Sequence, residues 1–551
     1  MTQKVYRFVF SLALIVSLTS FFCSPKKVET NTSHEDLVSL FREFRDSVEP
    51  ELTDGIPDYT EAAMKKQWRV LRKFQDRLMT MDMSKWPVSH QVDHHIVRAE
   101  MNGLEFHHRV LQPWVHNPGF YGTELIPGFP SRGDGIDVFM LDFPLTAEER
   151  ADLQSQLRAV PKLFDQARQN LTNPARELAI IAIRTKEKKV LMFQDLIERL
   201  RVHHPDLVPH AEQALVAVTA YRDWLVRTKD HMTAPAGVGK ENFNWWMKYV
   251  WLYPETWEEC MNTALREYQR AVAFLKLEEN KNRNHPPLPY VATEKGHAQL
   301  WNKAEDYLTR FIRKNEIFTV PDYLTPSGPH RPWVAPSDRD GNCAEFFEQA
   351  ERHDPMAQVA HNHTGHHLDH LRHQREDRPI RNAYPLFGGL RSEALPMFME
   401  EGMMIAGTHD EWALNPRSRE VIYISLAWRA TRAIADLKLH SNEFTMDQAL
   451  QHCVEWCPRG WECKTDMDTW YDLHYSMLQP GHATIYITGK NQLERLMADR
   501  ALQLGDAFNL QEFMDSFFAS GMIPISLARW EITGLDDEIE KLQSSRTKRN
   551  P

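Results

Sequence analysis

The spacing of apolar residues constrains the fold of this 551-residue chain more than any other feature. Apolar side chains recur every three or four residues through most of the sequence, as in Trp68, Leu71, Phe74 and Leu78. That spacing places them on one face of an α-helix, whereas a strand would alternate with a period of two. The pattern predicts a chain that is mainly α.

Helix boundaries follow from local signals. Thr146 precedes Ala-Glu-Glu, a sequence typical of a helix N-terminus. Long helices are predicted over residues 254–281 and 293–315, and helical periodicity also covers 35–110, 147–230 and the last third of the chain. Pro and Gly concentrate in 111–146 and 316–341, which are predicted as loops.

No repeat of 20–50 residues and no clear linker divides the long helical region. We therefore predict one large multi-helix domain over residues 35–535, with at most a small β-sheet, followed by a C-terminal tail over 536–551.

The N-terminus has the composition of an export signal. Lys4 and Arg7 precede an apolar run over residues 8–18, which is too short to span a bilayer comfortably. Cys23 follows directly, as at a lipoprotein cleavage site, although the large Phe22 before it is unusual there. The sequence predicts a signal peptide of lipoprotein type over 1–23 and a linker over 24–34, the alternatives being cleavage elsewhere or an uncleaved anchor. The mature protein would be exported, periplasmic, membrane-anchored or extracellular, and would touch a membrane only through an N-terminal lipid.

Five cysteines remain after such a leader, and three of them cluster as Cys453, Cys457 and Cys463. A disulfide, with Cys457–Cys463 as the candidate pair, fits an exported protein better than a zinc site, because the paired C-x2-C spacing is missing. The formal charge of −11 argues against nucleic-acid binding, which depends on clustered Lys and Arg.

Histidine is concentrated in one short segment. Residues 361–373 contain six of the chain's 26 histidines. In a helix, His363 and His367 would share a face at i,i+4, as would His366 and His370. Two such histidines form half of a tetrahedral zinc site, and a carboxylate of the Glu400-Glu401 pair is a sensible further ligand. The alternative is a solvated helix face rich in histidine.

Four stretches in this order carry a resemblance to a known family. They are GVGKENF at 237–243, HNHTGHHLD at 361–369, EGMMIA at 401–406 and QPGHATIYITGK at 479–490. Together they resemble the exported bacterial proteins with domain of unknown function 885, over roughly residues 35–535. That family is mostly helical and similar to gluzincin-type metallopeptidases, and its site reads approximately H-E-x-x-P-G-H-H-x-Q followed by E-G-W-A-L-Y.

The resemblance implies a metal, zinc, held by His361, by His366 or His367, and by Glu401. It implies hydrolysis of peptide-like bonds in a peptide or small-molecule substrate. Asn362, however, stands where the family pattern has the Glu that accepts a proton from water. A catalytically degenerate member that binds metal or another ligand without hydrolysis is the alternative.

Because Asn362 cannot act as a general base, other side chains would have to accept the proton and stabilise the oxyanion. Asp369, Glu393 and Glu400 are candidates for the general base, but Glu400 and Glu401 would point about 100° apart on a helix. Tyr486 resembles the family's late Tyr and is a candidate donor to an oxyanion, the alternative being a buried Tyr with a satisfied hydroxyl.

Overall fold

The computed structural model describes residues 32–53, 55–122, 141–329, 333–335, 343–383, 391–412 and 416–543. The predicted signal peptide and most of the predicted linker lie outside the described residues. Across the described residues, none of the helices combines the length and apolar character that a bilayer crossing requires.

Helices account for nearly all of the regular structure, which confirms the predicted fold class. Their bounds are α1 His34–Val48, α2 Glu61–Met79, α3 Val88–Phe106, α4 Pro113–His116, α5 Ala147–Asn170, α6 Arg176–His203, α7 Val208–Thr228, α8 Lys240–Tyr249, α9 Trp257–Lys281, α10 Glu294–Lys314, α11 Phe346–His353, α12 Met356–His361, α13 Leu368–His373, α14 Pro379–Ala383, α15 Arg391–Ile405, α16 Thr408–Trp412, α17 Ser418–His440, α18 Met446–Trp456, α19 Met467–Leu478, α20 Ile485–Leu504, α21 Leu510–Ala519, α22 Ile525–Thr533 and α23 Asp537–Gln543.

Two π-helical turns interrupt this pattern, at His107–Leu111 and Asn362–His367. Within the described residues the sheet is a single antiparallel pair, β1 Leu52–Thr53 with β2 Ile56–Pro57. The last helix, α23, lies in the segment assigned to the tail, and its Ile539 and Leu542 are buried.

Capping side chains explain where several helices begin. Thr146 accepts a hydrogen bond from the Glu149 backbone N–H, and the Glu149 carboxylate accepts from the Thr146 backbone N–H in return. The same reciprocal pair, Thr256 with Glu259, starts α9. Such boxes satisfy two of the N–H groups that have no partner inside the helix. The predicted start of α5 after Thr146 agrees with the structure, whereas α9 begins three residues after the predicted residue 254.

One hydrophobic cluster joins both ends of the described chain. Leu37 of α1, Phe164 of α5, Trp301 of α10, Leu395 of α15 and Leu542 of α23 all belong to it. A shared core of this kind makes the helices one domain. Helix α17 runs through the interior, with nearly every side chain buried, and it packs against α9, α18 and α19.

The disulfide differs from the predicted pair. Cys463 is bonded to Cys343, and Cys457 is a buried free thiol. The cause is a contact between distant segments: the Phe346 backbone N–H donates to Asp466 at 2.7 Å, which holds the start of α11 against the chain that follows Cys463. Proximity in sequence was therefore a poor guide to the partner.

Candidate metal centre

The histidine segment is a helix with a wide turn in its middle. Helix α12 ends at His361, the π-helical turn covers Asn362–His367, and α13 continues from Leu368. A π turn holds more residues than the 3.6 of an α-helix and closes hydrogen bonds from i to i+5. His361 and His366, five residues apart, consequently stand side by side, with their Nε2 atoms 3.1 Å apart.

A glycine lets the neighbouring helix approach this turn. A Cβ atom built on Gly365 would lie 2.8 Å from Cγ and 2.9 Å from Cα of Pro396 in α15. Those distances are too short for any side chain, so only glycine fits. The close approach places Glu393, one turn before Pro396, next to the two histidines.

Three donor atoms form a small triangle at this contact. The Oε2 atom of Glu393 lies 3.7 Å from Nε2 of His361 and 3.4 Å from Nε2 of His366. Among the described residues, His361, His366 and Glu393 form the one group of three or more His, Cys, Asp or Glu side chains whose ligand atoms could hold a metal ion. Donors around a tetrahedral zinc, each about 2.0–2.1 Å from the metal, stand about 3.3 Å apart. The triangle fits that requirement.

The ionised Glu393 suits a metal ligand set, whereas His366, whose pKa is raised, must lose a proton to bind a metal. Burial opposes ionisation of Glu393, yet His366 and His361 lower its pKa to about 2. Burial also disfavours a charged His366, but the Glu393 carboxylate raises the His366 pKa. The carboxylate is thus ionised at neutral pH, as a metal ligand must be. Without a metal, the same groups form a buried ion pair.

The other ring nitrogen of His361 is held by a second carboxylate. Nδ1 of His361 lies 2.8 Å from Oε1 of Glu400, which in turn lies 2.7 Å from the Arg429 guanidinium of α17. Burial raises the pKa of Glu400 to about 7, and Arg429 acts in the opposite direction. A carboxylate on Nδ1 fixes the ring orientation and leaves Nε2 facing the triangle.

Tyr486 lies beside the triangle. Its side chain is buried, the charge of Glu393 acts on its hydroxyl, and its ring lies 4.8 Å from the Arg432 guanidinium. Burial, followed by the charge of Glu393, raises its pKa, so the phenol keeps its proton at neutral pH. Its ring also lies edge-on to that of His482, with the ring centroids 6.0 Å apart.

Two of the predicted metal ligands lie elsewhere. His367 points away from the triangle, and its Nε2 hydrogen-bonds to the Thr325 carbonyl oxygen at 2.9 Å. Glu401 forms bonds of 2.7 and 2.6 Å to Arg270 of α9, and Lys490 of α20 lies 2.8 Å from it. The helical period explains the second difference. Glu393 and Glu400, seven residues apart, share a face of α15, and Glu401 is rotated by about 100° from it.

Asp369, a predicted catalytic residue, forms ion pairs with two arginines. Its Oδ1 lies 3.3 Å from Arg391 and 3.5 Å from Arg372. The predicted residues that the structure brings together are therefore His361, His366 and Tyr486, with Glu393 supplying the carboxylate.

Sequence reasoning missed the arginines of the centre. Arg429 and Arg432 are fully or almost fully buried in α17, and Arg432 is paired with Asp472. A signal for them existed, because a charged residue in an otherwise buried helix is rare unless it is paired. The seven-residue spacing of Glu393 and Glu400 was a second usable signal.

Comparison with known proteins places the chain in a family. Residues 46–532 match the family described as bacterial protein of unknown function (DUF885). No curated protein matches the sequence.

Two solved structures share the fold. One is described as "a putative lipoprotein of unknown function" from Shewanella oneidensis, with a TM-score of 0.70, 14% identity, and coverage of 90% of this chain and 99% of that chain. The other, a "putative lipoprotein" from Colwellia psychrerythraea, has a TM-score of 0.66, 15% identity, and coverage of 91% and 99%. At such identities the likeness establishes the fold only. Because the family match spans most of the sequence, the chain belongs to the bacterial family of unknown function DUF885.

Proposed function

We propose that this protein is a zinc-dependent hydrolase of peptide-like bonds, acting on a peptide or small-molecule substrate. The observation that carries the proposal is the triangle of His361 Nε2, His366 Nε2 and Glu393 Oε2, with sides of 3.1–3.7 Å. Two imidazoles and one carboxylate are a typical protein ligand set for catalytic zinc and leave a fourth position open.

The surrounding residues support this proposal by what each can do. Glu400 orients the ring of His361 through Nδ1, and Arg429 holds Glu400 in place. Tyr486, protonated and beside Glu393, can donate a hydrogen bond to an oxyanion formed from the substrate carbonyl. Zinc, when bound, would polarise that carbonyl and make water more acidic.

A second candidate is a protein that binds metal without hydrolysis. It is favoured by Asn362, an amide that cannot accept the proton of an attacking water. The carboxylates that could replace it already have partners: Asp369 has two arginines, and Glu400 has His361 and Arg429. The protein would then bind a ligand without cleaving it, and zinc would have a structural role.

Metal content tests both candidates. We expect about one zinc per chain, measured by plasma mass spectrometry after dialysis against buffered zinc, and loss of that zinc in Glu393→Gln. Glu351→Gln is the matched control, because Glu351 is also buried with its Oε2 3.3 Å from a histidine Nε2, that of His297. A wild-type protein without zinc would overturn both candidates.

Cleavage separates the two candidates. A mixed peptide library, incubated with the zinc-loaded protein and analysed by mass spectrometry, should show cleavage that is lost in Glu393→Gln. Stoichiometric zinc with an intact library would overturn the hydrolase and leave the binding protein. In Asn362→Glu, a carboxylate is restored at the position of the family's base, and we expect cleavage to increase.

We also propose that the protein is exported and carries an N-terminal lipid on Cys23. Lys4, Arg7 and the apolar run over 8–18 support this, as do the names of the two structurally similar proteins. Labelling of cells with radioactive palmitate should mark the full chain and not Cys23→Ser. An unlabelled full chain would contradict lipidation.

A further inference from the structure

A cavity of about 690 Å³ lies apart from the metal centre, between α2, the π turn His107–Leu111, α4 and the end of α5. Its lining includes none of His361, His366, Glu393 and Tyr486. The volume falls within the range of pockets that bury an organic ligand, about 300–1,000 Å³.

One wall of this cavity is aromatic and uncharged. The ring of His108 lies 5.5 Å from that of Trp68 and 5.1 Å from that of Trp114. Gln67 fixes His108 by a hydrogen bond of 2.7 Å between Oε1 and Nε2. Burial lowers the pKa of His108 to about 4, so the imidazole is neutral at pH 7. The His108 ring is tilted by 54° to that of Trp68 and by 59° to that of Trp114, so the three rings present adjoining, angled aromatic faces without charge.

Amide side chains provide the polar part of the lining. Gln112, Gln169 and Asn170 face this cavity, and each amide carries both hydrogen-bond donors and an acceptor. Asn170 is positioned by its donation to the Tyr59 carbonyl oxygen at 3.0 Å, and Gln112 donates to the His108 carbonyl oxygen at 3.2 Å. Groups of this kind recognise hydroxyl and amide groups of a ligand.

The charged residues of the lining are already neutralised. Lys65 lies 2.5 Å from Glu61. The guanidinium of Arg109 lies over the Trp245 ring at 4.6 Å, and its Nε lies 3.9 Å from Glu105. A charged ligand would have to displace these partners, whereas a neutral one would not. The lining thus favours an uncharged ligand.

The backbone at the cavity adopts unusual conformations. Gln112 follows the π turn with φ 36° and ψ 57°, the left-handed region that non-glycine residues seldom occupy. Such a conformation is strained, and both strained residues and π turns are frequent at functional sites. Here both features position Gln112 and the following Trp114 at the same cavity.

We propose that this cavity binds an uncharged oligosaccharide. A sugar ring has faces of C–H groups, which pack on Trp68, His108 and Trp114, and a rim of hydroxyls, which hydrogen-bond to the amides. A neutral aromatic molecule would use the same wall but would make fewer hydrogen bonds to the amides of Gln112, Gln169 and Asn170 than the hydroxyls of a sugar. The site is independent of the metal centre and does not require the hydrolase.

Calorimetric titration with N,N′,N″-triacetylchitotriose, cellotriose and maltotriose tests the proposal on the wild-type chain. We expect saturable binding of at least one of the three, weakened about tenfold in Trp68→Leu, which removes an aromatic stacking surface. Trp224→Leu is the matched control, because Trp224 is also half-buried on the core but lies outside the cavity lining, and it should bind like wild type.

Two further variants keep the test decisive. Gln169 is exposed, so Gln169→Ala should fold normally and still weaken binding. Glu393→Gln should bind the sugar unchanged, which separates this site from the metal centre. No binding of any trisaccharide at millimolar concentration, or equal binding by wild type, Trp68→Leu and Gln169→Ala, would overturn the proposal.

Discussion

At the scale of single residues, the candidate metal centre depends on a glycine, Gly365, as well as on the donor side chains. Gly365 has no Cβ, and that is why α15 can bring Glu393 within 3.4 Å of His366. Pro396 stands where a Cβ at position 365 would have to go. The short distances in the donor triangle therefore depend on the absence of a Cβ atom at position 365.

Gly365→Ala should lower the free energy of unfolding by roughly 1–3 kcal/mol, because overpacking forces the two helices apart. Urea unfolding measures this loss. The control is Gly402→Ala in α15, where a Cβ would meet nothing closer than 3.4 Å. That change should be neutral or stabilise by up to about 1 kcal/mol through helix propensity. Equal effects of the two substitutions would contradict the role of close approach.

Glu401 illustrates a residue whose role differs from the predicted one. Its carboxylate joins Arg270 and Lys490, so Glu401→Gln should destabilise the fold by roughly 2–4 kcal/mol, as expected when a buried ion pair is broken. Zinc stoichiometry should remain that of the wild type. Glu494→Gln, which removes a half-exposed partner of Lys490, should cost less than about 1 kcal/mol. Loss of zinc in Glu401→Gln would instead restore the ligand role.

The residues of the centre were only partly predictable from the sequence. His361 and His366 stand out because they lie in a dense histidine segment. The choice between Glu393 and Glu401 depends on which face of α15 meets the histidines. That face is set by Gly365 against Pro396 and by the pairing of Glu401 with Arg270, contacts between residues distant in the sequence.

At the scale of elements, α17 places four ionisable side chains in the interior of the protein. It carries Arg429, Arg432, Asp436 and His440, all buried, along a helix that packs against α9, α18 and α19. Nε2 of His440 lies 2.9 Å from the Ser476 carbonyl oxygen, to which it donates as a neutral ring. Burial lowers the His440 pKa to about 4.

The pH dependence of stability should reflect His440. The folded pKa is lower than that of about 6.5 in an unfolded chain, so acid favours unfolding. The neutral ring makes its full contribution to the free energy of unfolding above pH 6.5, and this contribution is lost as the pH falls towards 4. Between pH 8 and pH 5, the stability advantage of wild type over His440→Gln should shrink by about 2 kcal/mol, measured by urea unfolding. Parallel profiles would contradict a buried neutral His440.

Helix positions were largely predictable, and the π turn was not. Capping is a local interaction, so the sequence marks where helices start. Helix α9 begins after Thr256, which forms a capping box with Glu259, and α10 begins after Thr293, whose side chain accepts from the Gly296 backbone N–H. The turn over Asn362–His367 follows from packing against α15, so the assumption of a regular α-helix paired His366 with His370 instead of His361.

At the scale of the whole molecule, the Cys343–Cys463 disulfide closes a long segment. The two residues are 120 positions apart, and the segment between them contains His361, His366 and Glu393 of the donor triangle and the whole of α17. A cross-link of this span restricts the unfolded chain strongly, since its effect grows with loop length.

Cys343→Ser combined with Cys463→Ser should lower the free energy of unfolding by about 2–5 kcal/mol, measured by denaturant unfolding without reductant. Wild type treated with reductant should approach the same value, and reductant should not change the double variant. A double variant as stable as oxidised wild type would contradict a stabilising cross-link.

The predicted single mainly α domain agrees with the structure because helix periodicity is a local property that repeats along the chain. The cysteine pairing depends instead on how α11 meets the segment after Cys463, which the order of residues does not reveal.

The π turn has a consequence for the length of the chain itself. Deleting one residue between His361 and His366 would leave them four apart, the spacing at which an ordinary α-helix also presents two side chains on one face. The wide turn accommodates one additional residue within a single helical turn and keeps both imidazoles together. The histidine pair is therefore compatible with two chain lengths, and deletion of a single residue here would change the helix type and preserve the pair.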